Sequence, residues 1–303
     1  MPKPHSKLQS GLTRVRMHAK ASAMTDQNAA AQDAPTPASP KDGWRENLRF
    51  FGTVLVIAFV IRSLVFGLFN IPSESMLPRL LVGDYLLVSK WPYGYSRYSF
   101  VFGLIDFDGR VLAEQPERGD VVVFRAPPEN KVDYIKRLIG LPGDTVELRH
   151  GQVILNGKPV PRVPVDDFLK PVSANSSCEP QPFLDQPQPE TLADGREVCR
   201  YHRFRETLPN GKSYDVLDLG EITKDDMAPT IVPEGHYFMM GDNRDNSLDS
   251  RFSPAEGGIG LVPEENLIGR AAFTYFSTDG SANVLLPWTW LTAMRASRIG
   301  EGF

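Results

Sequence analysis

At 303 residues, 41% of them hydrophobic, the chain has enough material for one large or two small folded domains. Its net charge of −4 is unevenly spread: residues 1–49 carry eight Lys or Arg against four acids, which leaves −8 on the remainder. So acidic a body argues against nucleic acid as the main partner, and two cysteines with no C-x-x-C pair argue against a structural zinc site.

In chain order, residues 1–47 come first, rich in Ala, Pro, Ser and Gln, and read as a disordered cytoplasmic tail. Ala19-Lys-Ala-Ser-Ala23 has the look of a cleavage site, but no apolar stretch precedes it, so it is not read as a secretory signal. Residues 48–69 read as a single transmembrane helix. The twenty residues from Phe50 to Phe69 would span ~30 Å at ~1.5 Å each. Arg62 interrupts this run and is placed near the far interface, where its head group can reach the lipid head groups. The excess of Lys and Arg before the run puts the amino end in the cytoplasm and the large carboxyl-terminal part outside.

Beyond residue 70 no amphipathic helix stands out. Short β-rich pieces follow instead, at 85–89, 120–124, 145–148, 153–155, 237–240 and 271–276, separated by turn signals such as Pro142-Gly-Asp144 and Asn156-Gly157. This pattern predicts a mainly β domain built from 70–157 and 231–303. Residues 158–230 are richer in Pro and polar stretches and hold both cysteines, so they read as a β- and loop-rich insertion. In an oxidising compartment Cys178 and Cys199 are expected to form a disulfide; in a cytosolic loop they would be free thiols. Seven aromatics between 91 and 107 (Trp91, Tyr93, Tyr95, Tyr98, Phe100, Phe102 and Phe107) suit either a lip at the membrane surface or a core hairpin.

Three segments carry chemistry. Ile71-Pro-Ser-Glu-Ser-Met76 offers Ser75 as a nucleophile in a tight region between Pro72 and Pro78, with Ser73 two residues before it to help the Ser75 N–H hold an oxyanion. Tyr134-Ile-Lys136-Arg137 offers a lysine base. An extended strand would put Tyr134, Lys136 and Leu138 on one face, where apolar surroundings lower the lysine pKa toward neutrality. Arg137 would face the other side and could meet an acid of Gly241-Asp-Asn-Arg-Asp-Asn-Ser-Leu-Asp-Ser-Arg251, a polar loop entered directly from Met239 and Met240. Charges buried there must be paired, so this loop reads as a support that positions the lysine. The five histidines (His5, His18, His150, His202 and His236) lie in no catalytic pattern, and there is neither a Gly-x-Ser-x-Gly elbow nor a His-Glu-x-x-His helix.

In this order, after a membrane anchor, the three segments closely resemble those of the bacterial type I signal peptidases, membrane-bound Ser/Lys proteases that remove signal peptides from exported proteins. Arg118-Gly-Asp-Val-Val-Val-Phe124, Ile139-Gly-Leu-Pro-Gly-Asp144 and Ser297-Arg-Ile-Gly300 extend the match over most of 70–157 and 231–300. The resemblance implies Ser75 as nucleophile, Lys136 as general base and Ser73 as an oxyanion-hole hydroxyl. It further implies that Ser247 hydrogen-bonds the Lys136 amine. Asp249, Arg251 and Arg137 would form an ion-pair network, with Asp242, Arg244 and Tyr134 in the same framework. The implied activity is cleavage after Ala-x-Ala at the outer face of a bacterial inner membrane. The implied partners are exported preproteins and the lipid bilayer, with a place near the secretion translocon. No cofactor, metal or nucleic acid is expected, and no particular oligomeric state is implied. Two positions depart from the commonest pattern: Glu74 stands where glycine is frequent, and Leu248 where a small residue is frequent. Glu74 is expected to add a charge beside the site and to affect preference for charged residues near the cut. Many Gram-negative relatives carry two membrane segments, whereas this sequence has one. The other readings of the chain are a specialised maturation peptidase with a narrow substrate range and a membrane-anchored β binding module without catalysis.

Overall fold

The computed structural model describes residues 40–100, 105–178, 187–283 and 285–303; the tail before residue 40, Phe102 and part of the 158–230 segment lie outside the described residues. An α-helix runs Pro40–Val60 and continues into a π-helical turn, Ile61–Val65. From Gly43 to Val65 it is long and apolar enough to cross a membrane, and Phe50, Leu55, Val56 and Ile57 are exposed. The stretch expected to remain helical to residue 69 stops earlier: Phe66–Asn70 is a strand, paired antiparallel with Asp84–Ser89. Lys90 explains the stop. Its buried Nζ donates to the carbonyls of Arg62 (2.9 Å) and Ser63 (3.5 Å), and its backbone N–H donates to Val65 O at 3.1 Å. Carbonyls orphaned at the helix end are thereby satisfied, and the chain is free to turn into the sheet.

The rest is mainly β, as the short β-rich pieces and turn signals predict. Among the described residues the largest sheet has seven strands, in the order Phe66–Asn70, Asp84–Ser89, Leu267–Ser277, Val121–Arg125, Asp133–Gly140, His236–Met240, Val262–Pro263. A four-stranded sheet follows the order Met227–Ile231, Thr145–Arg149, Gln152–Leu155, Lys158–Pro159. The third sheet lies within the segment read as an insertion. Glu197–Thr207 pairs with Arg162–Pro171, Gln188–Thr191 and Ser213–Leu217. This sheet is not an appendage: Tyr214 and Val216 of its strands, with Val160 and Leu208 just outside them, share one core cluster with Ile139, Phe238 and Met240. Met227–Ile231 pairs with Thr145–Arg149, so the chain rejoins the small sheet before residue 231.

The aromatic segment divides. Tyr93 is buried in the core and donates its hydroxyl to Asp120 (2.9 Å), whereas Trp91 is half exposed. Two short 3₁₀ turns, Trp91–Tyr93 and Arg97–Ser99, stand where a hairpin was one expectation.

Candidate active site

Ser75 lies in a loop nailed down on both sides. Ile71, Met76, Leu77 and Leu80 are at most 3% exposed. Full burial of such a side chain is worth about 1.5–3 kcal/mol. Met76 packs with Val121 and Ile268, and Leu77 with Tyr201 and Leu217 of the inserted sheet. A single helical turn, closed by Leu77 N–H to Glu74 O (3.1 Å) and Leu80 N–H to Met76 O (2.9 Å), fixes the backbone between them.

Lys136 lies in the Asp133–Gly140 strand opposite Val122. The alternation puts it on one face with Tyr134 and Leu138; its Nζ sits 5.4 Å from the centre of the Tyr134 ring. The same Nζ is 2.6 Å from Ser75 Oγ. The lysine is only 4% exposed, and burial pushes its amine down from 10.5 to about 8. Asp249 and Asp242 pull in the opposite direction, and Arg251 adds to the lowering. Ser73 Oγ lies 3.5 Å from Ser75 Oγ.

The Gly241–Arg251 loop closes over both. Asn243 donates its backbone N–H to Ser75 O (3.1 Å) and its side-chain amide to Glu74 O (3.1 Å). Gly241 has to be glycine, because a Cβ there would come within 2.6 Å of Ser75 O and 2.3 Å of Ser247 Oγ. Three buried arginines each meet a carboxylate with both oxygens. Arg137 grips Asp242 at 2.7 and 2.6 Å, and its guanidinium stacks 4.2 Å from the centre of the Tyr214 ring. Arg251 grips Asp249 at 2.9 and 3.0 Å, and Asp249 also accepts the Gly241 N–H. Burial would raise the Asp249 carboxyl, but Arg251 holds it below the usual carboxylate range. Arg244 grips Glu206, from the inserted sheet, at 2.7 and 2.5 Å.

Two expectations need correction. The structure contains no Ser247–Lys136 hydrogen bond: Ser247 Oγ is buried and has no hydrogen-bond partner among the described residues. The Ser247 side chain occupies the space beside Gly241 that a Cβ there would fill. Glu74 does not charge the site. Its carboxylate turns into the inserted sheet, where Lys170 and Ser176 hold it. Cys178 and Cys199 are joined to each other.

Sequence reasoning missed four residues here: Glu206, Lys170, Asn243 and Asp245. Glu206 had one signal. Once Arg137 and Arg251 take Asp242 and Asp249, a buried Arg244 still needs an acid, and Asp245 is engaged by the Leu219 N–H at 2.6 Å. Asp245 is pushed up to about 7 by burial, with Asp218 and Asp225 adding to the rise against that hydrogen bond.

Ser75 and Lys136 open onto a cleft of about 430 Å³, lined by Ile71, Val132, Tyr134, Ile135, Leu248 and Phe252 among others. Among the described residues no histidine lines it. The pairing leaves a strand edge there: Asp133–Arg125 through Arg137–Val121 are paired on one side, but His236–Met240 covers the other edge only from Arg137 to Gly140.

The sequence matches the family model for signal peptidase, peptidase S26, over residues 44–276. Signal peptidase I of Rickettsia typhi is 39% identical over 273 residues, which are 84% of this chain and 92% of that protein. The chain belongs to the S26 signal peptidase family. Signal peptidase I of Rickettsia conorii is 38% identical over 82% of this chain and 89% of that protein. A crystal structure of a signal peptidase I from Enterococcus faecalis is 28% identical, covers 52% of this chain and 97% of that chain, and has a TM-score of 0.26. As an S26 peptidase the chain is a serine endopeptidase, from a family characterised by a Ser/Lys dyad.

Proposed function

We propose that this S26 peptidase is anchored in a bacterial inner membrane by Gly43–Val65 and removes signal peptides from exported preproteins after Ala-x-Ala sites. Ser75 is the nucleophile and Lys136 the general base. The observation that carries the reading is the 2.6 Å contact between Lys136 Nζ and Ser75 Oγ, with the lysine buried and its amine pushed down to about 8. The Lys and Arg excess before the helix supports a cytoplasmic amino end and a catalytic part on the outer side.

An extended substrate segment adds as a strand along the open edge at 133–136, and its side chains enter the apolar cleft. Small side chains suit pockets walled by Ile71, Tyr134 and Ile135. Neutral Lys136 takes the proton of Ser75 as Oγ attacks the scissile carbonyl carbon. The Ser73 hydroxyl and the Ser75 N–H donate to the oxyanion. Lys136 passes the proton to the leaving amine. It then deprotonates a water, which attacks the acyl-enzyme; the signal peptide leaves with a free carboxyl end, and the proton returns from Lys136 to Ser75 Oγ. The pairs Arg137–Asp242, Arg251–Asp249 and Arg244–Glu206 keep the loop rigid without joining the chemistry.

The test is cleavage of a model preprotein with an Ala-x-Ala site by the full chain and by Ser75→Ala. Cleavage after the second alanine, absent from the variant, is expected. Cleavage that survives in Ser75→Ala moves the nucleophile elsewhere.

A further inference from the structure

Glu74 immediately precedes Ser75 in sequence, yet its side chain is absent from the cleft lining. It reaches the inserted sheet, where Lys170 Nζ donates to Glu74 Oε1 at 2.5 Å. The Ser176 hydroxyl donates to the same oxygen at 2.6 Å, and the Tyr201 hydroxyl lies 3.5 Å from Oε2. Lys170 is 1% exposed. Its other two partners are Ser176 Oγ (3.0 Å) and Ser177 O (2.7 Å). Glu74 is its only salt-bridge partner among the described residues. The sheet end around Lys170 is itself tied down. Lys170 is in register with Cys199, and Cys199 is joined to Cys178, which follows Ser177. The backbone of Glu74 is held as well, since its carbonyl accepts from both Leu77 N–H and the Asn243 amide.

We infer that Glu74 and Lys170 are a positioning pair, through which the inserted sheet holds the Ser75 loop in its reactive place. The inference rests on Ser75 being the nucleophile. A buried cation cannot lose its one carboxylate cheaply, so the pair resists any drift of the loop away from the sheet. Attack geometry is sensitive to such drift: a shift of about 1 Å can cost on the order of a hundredfold in rate. The pair does not act by setting the charge state of the base, because the charges that bear on Lys136 are Asp249, Asp242 and Arg251, not Glu74.

The experiment compares the full chain with Lys170→Met, Glu74→Ala and the double variant, in detergent micelles with an Ala-x-Ala preprotein, reading kcat, KM, Tm and the pH profile. Each single variant is expected to lower kcat about tenfold, with KM within about twofold. The double variant should lose no more than the worse single one, because both act through one contact. The pH midpoint should stay where the wild type has it. Glu74→Gln fills the same space and guards against misfolding of the others; it should lower kcat about threefold. Wild-type kcat in the folded variants with only Tm reduced, losses that multiply in the double variant, or a moved pH midpoint would each overturn the positioning role. Ser75→Ala is run alongside. If it abolishes cleavage while Glu74→Gln keeps wild-type kcat, only the positioning pair falls; if it still cleaves, the nucleophile assignment falls and takes the pair with it.

Discussion

Two buried lysines, one in the cleft and one in the inserted sheet, have opposite surroundings. Lys136 is 4% exposed and touches a serine hydroxyl; the carboxylates that bear on it, Asp249 and Asp242, are gripped by arginines. Lys170 is 1% exposed and touches the carboxylate of Glu74 directly. Burial alone does not make a base, then. What separates the two sites is whether the acids nearby are already claimed. In the cleft, Arg137 and Arg251 neutralise Asp242 and Asp249, so the penalty for burying charge falls on Lys136 and its amine drops to about 8. In the inserted sheet the carboxylate is available, and the lysine becomes a fastener.

The sharpest way to break this contrast is to remove the cleft lysine. Lys136→Met is expected to lower kcat by about a thousandfold or more with the fold intact, as Ser75→Ala should, measured as preprotein cleavage against circular dichroism. A cleavage rate within tenfold of wild type would place the base elsewhere. Titration comes next. Lys136 works as a base only when neutral, and its pKa is lowered, so the rate should rise with pH and level off above about 8. Below that midpoint it should fall about tenfold per pH unit. Asp245, which is pushed up to about 7, also lines the cleft; Asp245→Asn is expected to leave the midpoint near 8. A midpoint that moves with Asp245→Asn would transfer the titration from the lysine to the carboxyl.

The arginine clamps test the other half of the contrast. Asp249→Ala leaves Arg251, 3% exposed, without its carboxylate and should destabilise the fold by about 3–5 kcal/mol, read by chemical denaturation. It also removes one of the charges that raise the Lys136 pKa, so the rate midpoint of any folded fraction should shift down. The smallest effect belongs to an ion pair in solvent: Lys131→Ala, which loses the open contact to Glu129, should leave Tm and rate unchanged. A measurable loss there would blur the distinction between buried and exposed charge on which the contrast depends.

Much of this site is legible in the sequence because it is local. Strand alternation alone places Tyr134 and Lys136 on one face and Arg137 on the other, and the structure puts Arg137 on Asp242 of the polar loop. The short β pieces and the apolar helix follow from periodicity and turn residues. The end of the helix does not, since Phe66–Asn70 is as apolar as what precedes it; a strand forms there because Asp84–Ser89 offers a pairing edge and Lys90 caps the helix. Nor does the direction of the Glu74 side chain, whose place next to Ser75 led to the expectation of a charge beside the site.

The sequence by itself determined the apolar helix, the mainly β body, and the three segments that bring a serine, a lysine and a polar loop, because each depends on residues within a few positions of one another. Tertiary structure alone decided which acid meets Arg244 and which meets Lys170. Glu206 reaches Arg244 and Lys170 reaches Glu74 across 38 and 96 positions of chain. Such partners are chosen by strand register and sheet packing, and a buried charge takes whichever carboxylate the fold delivers.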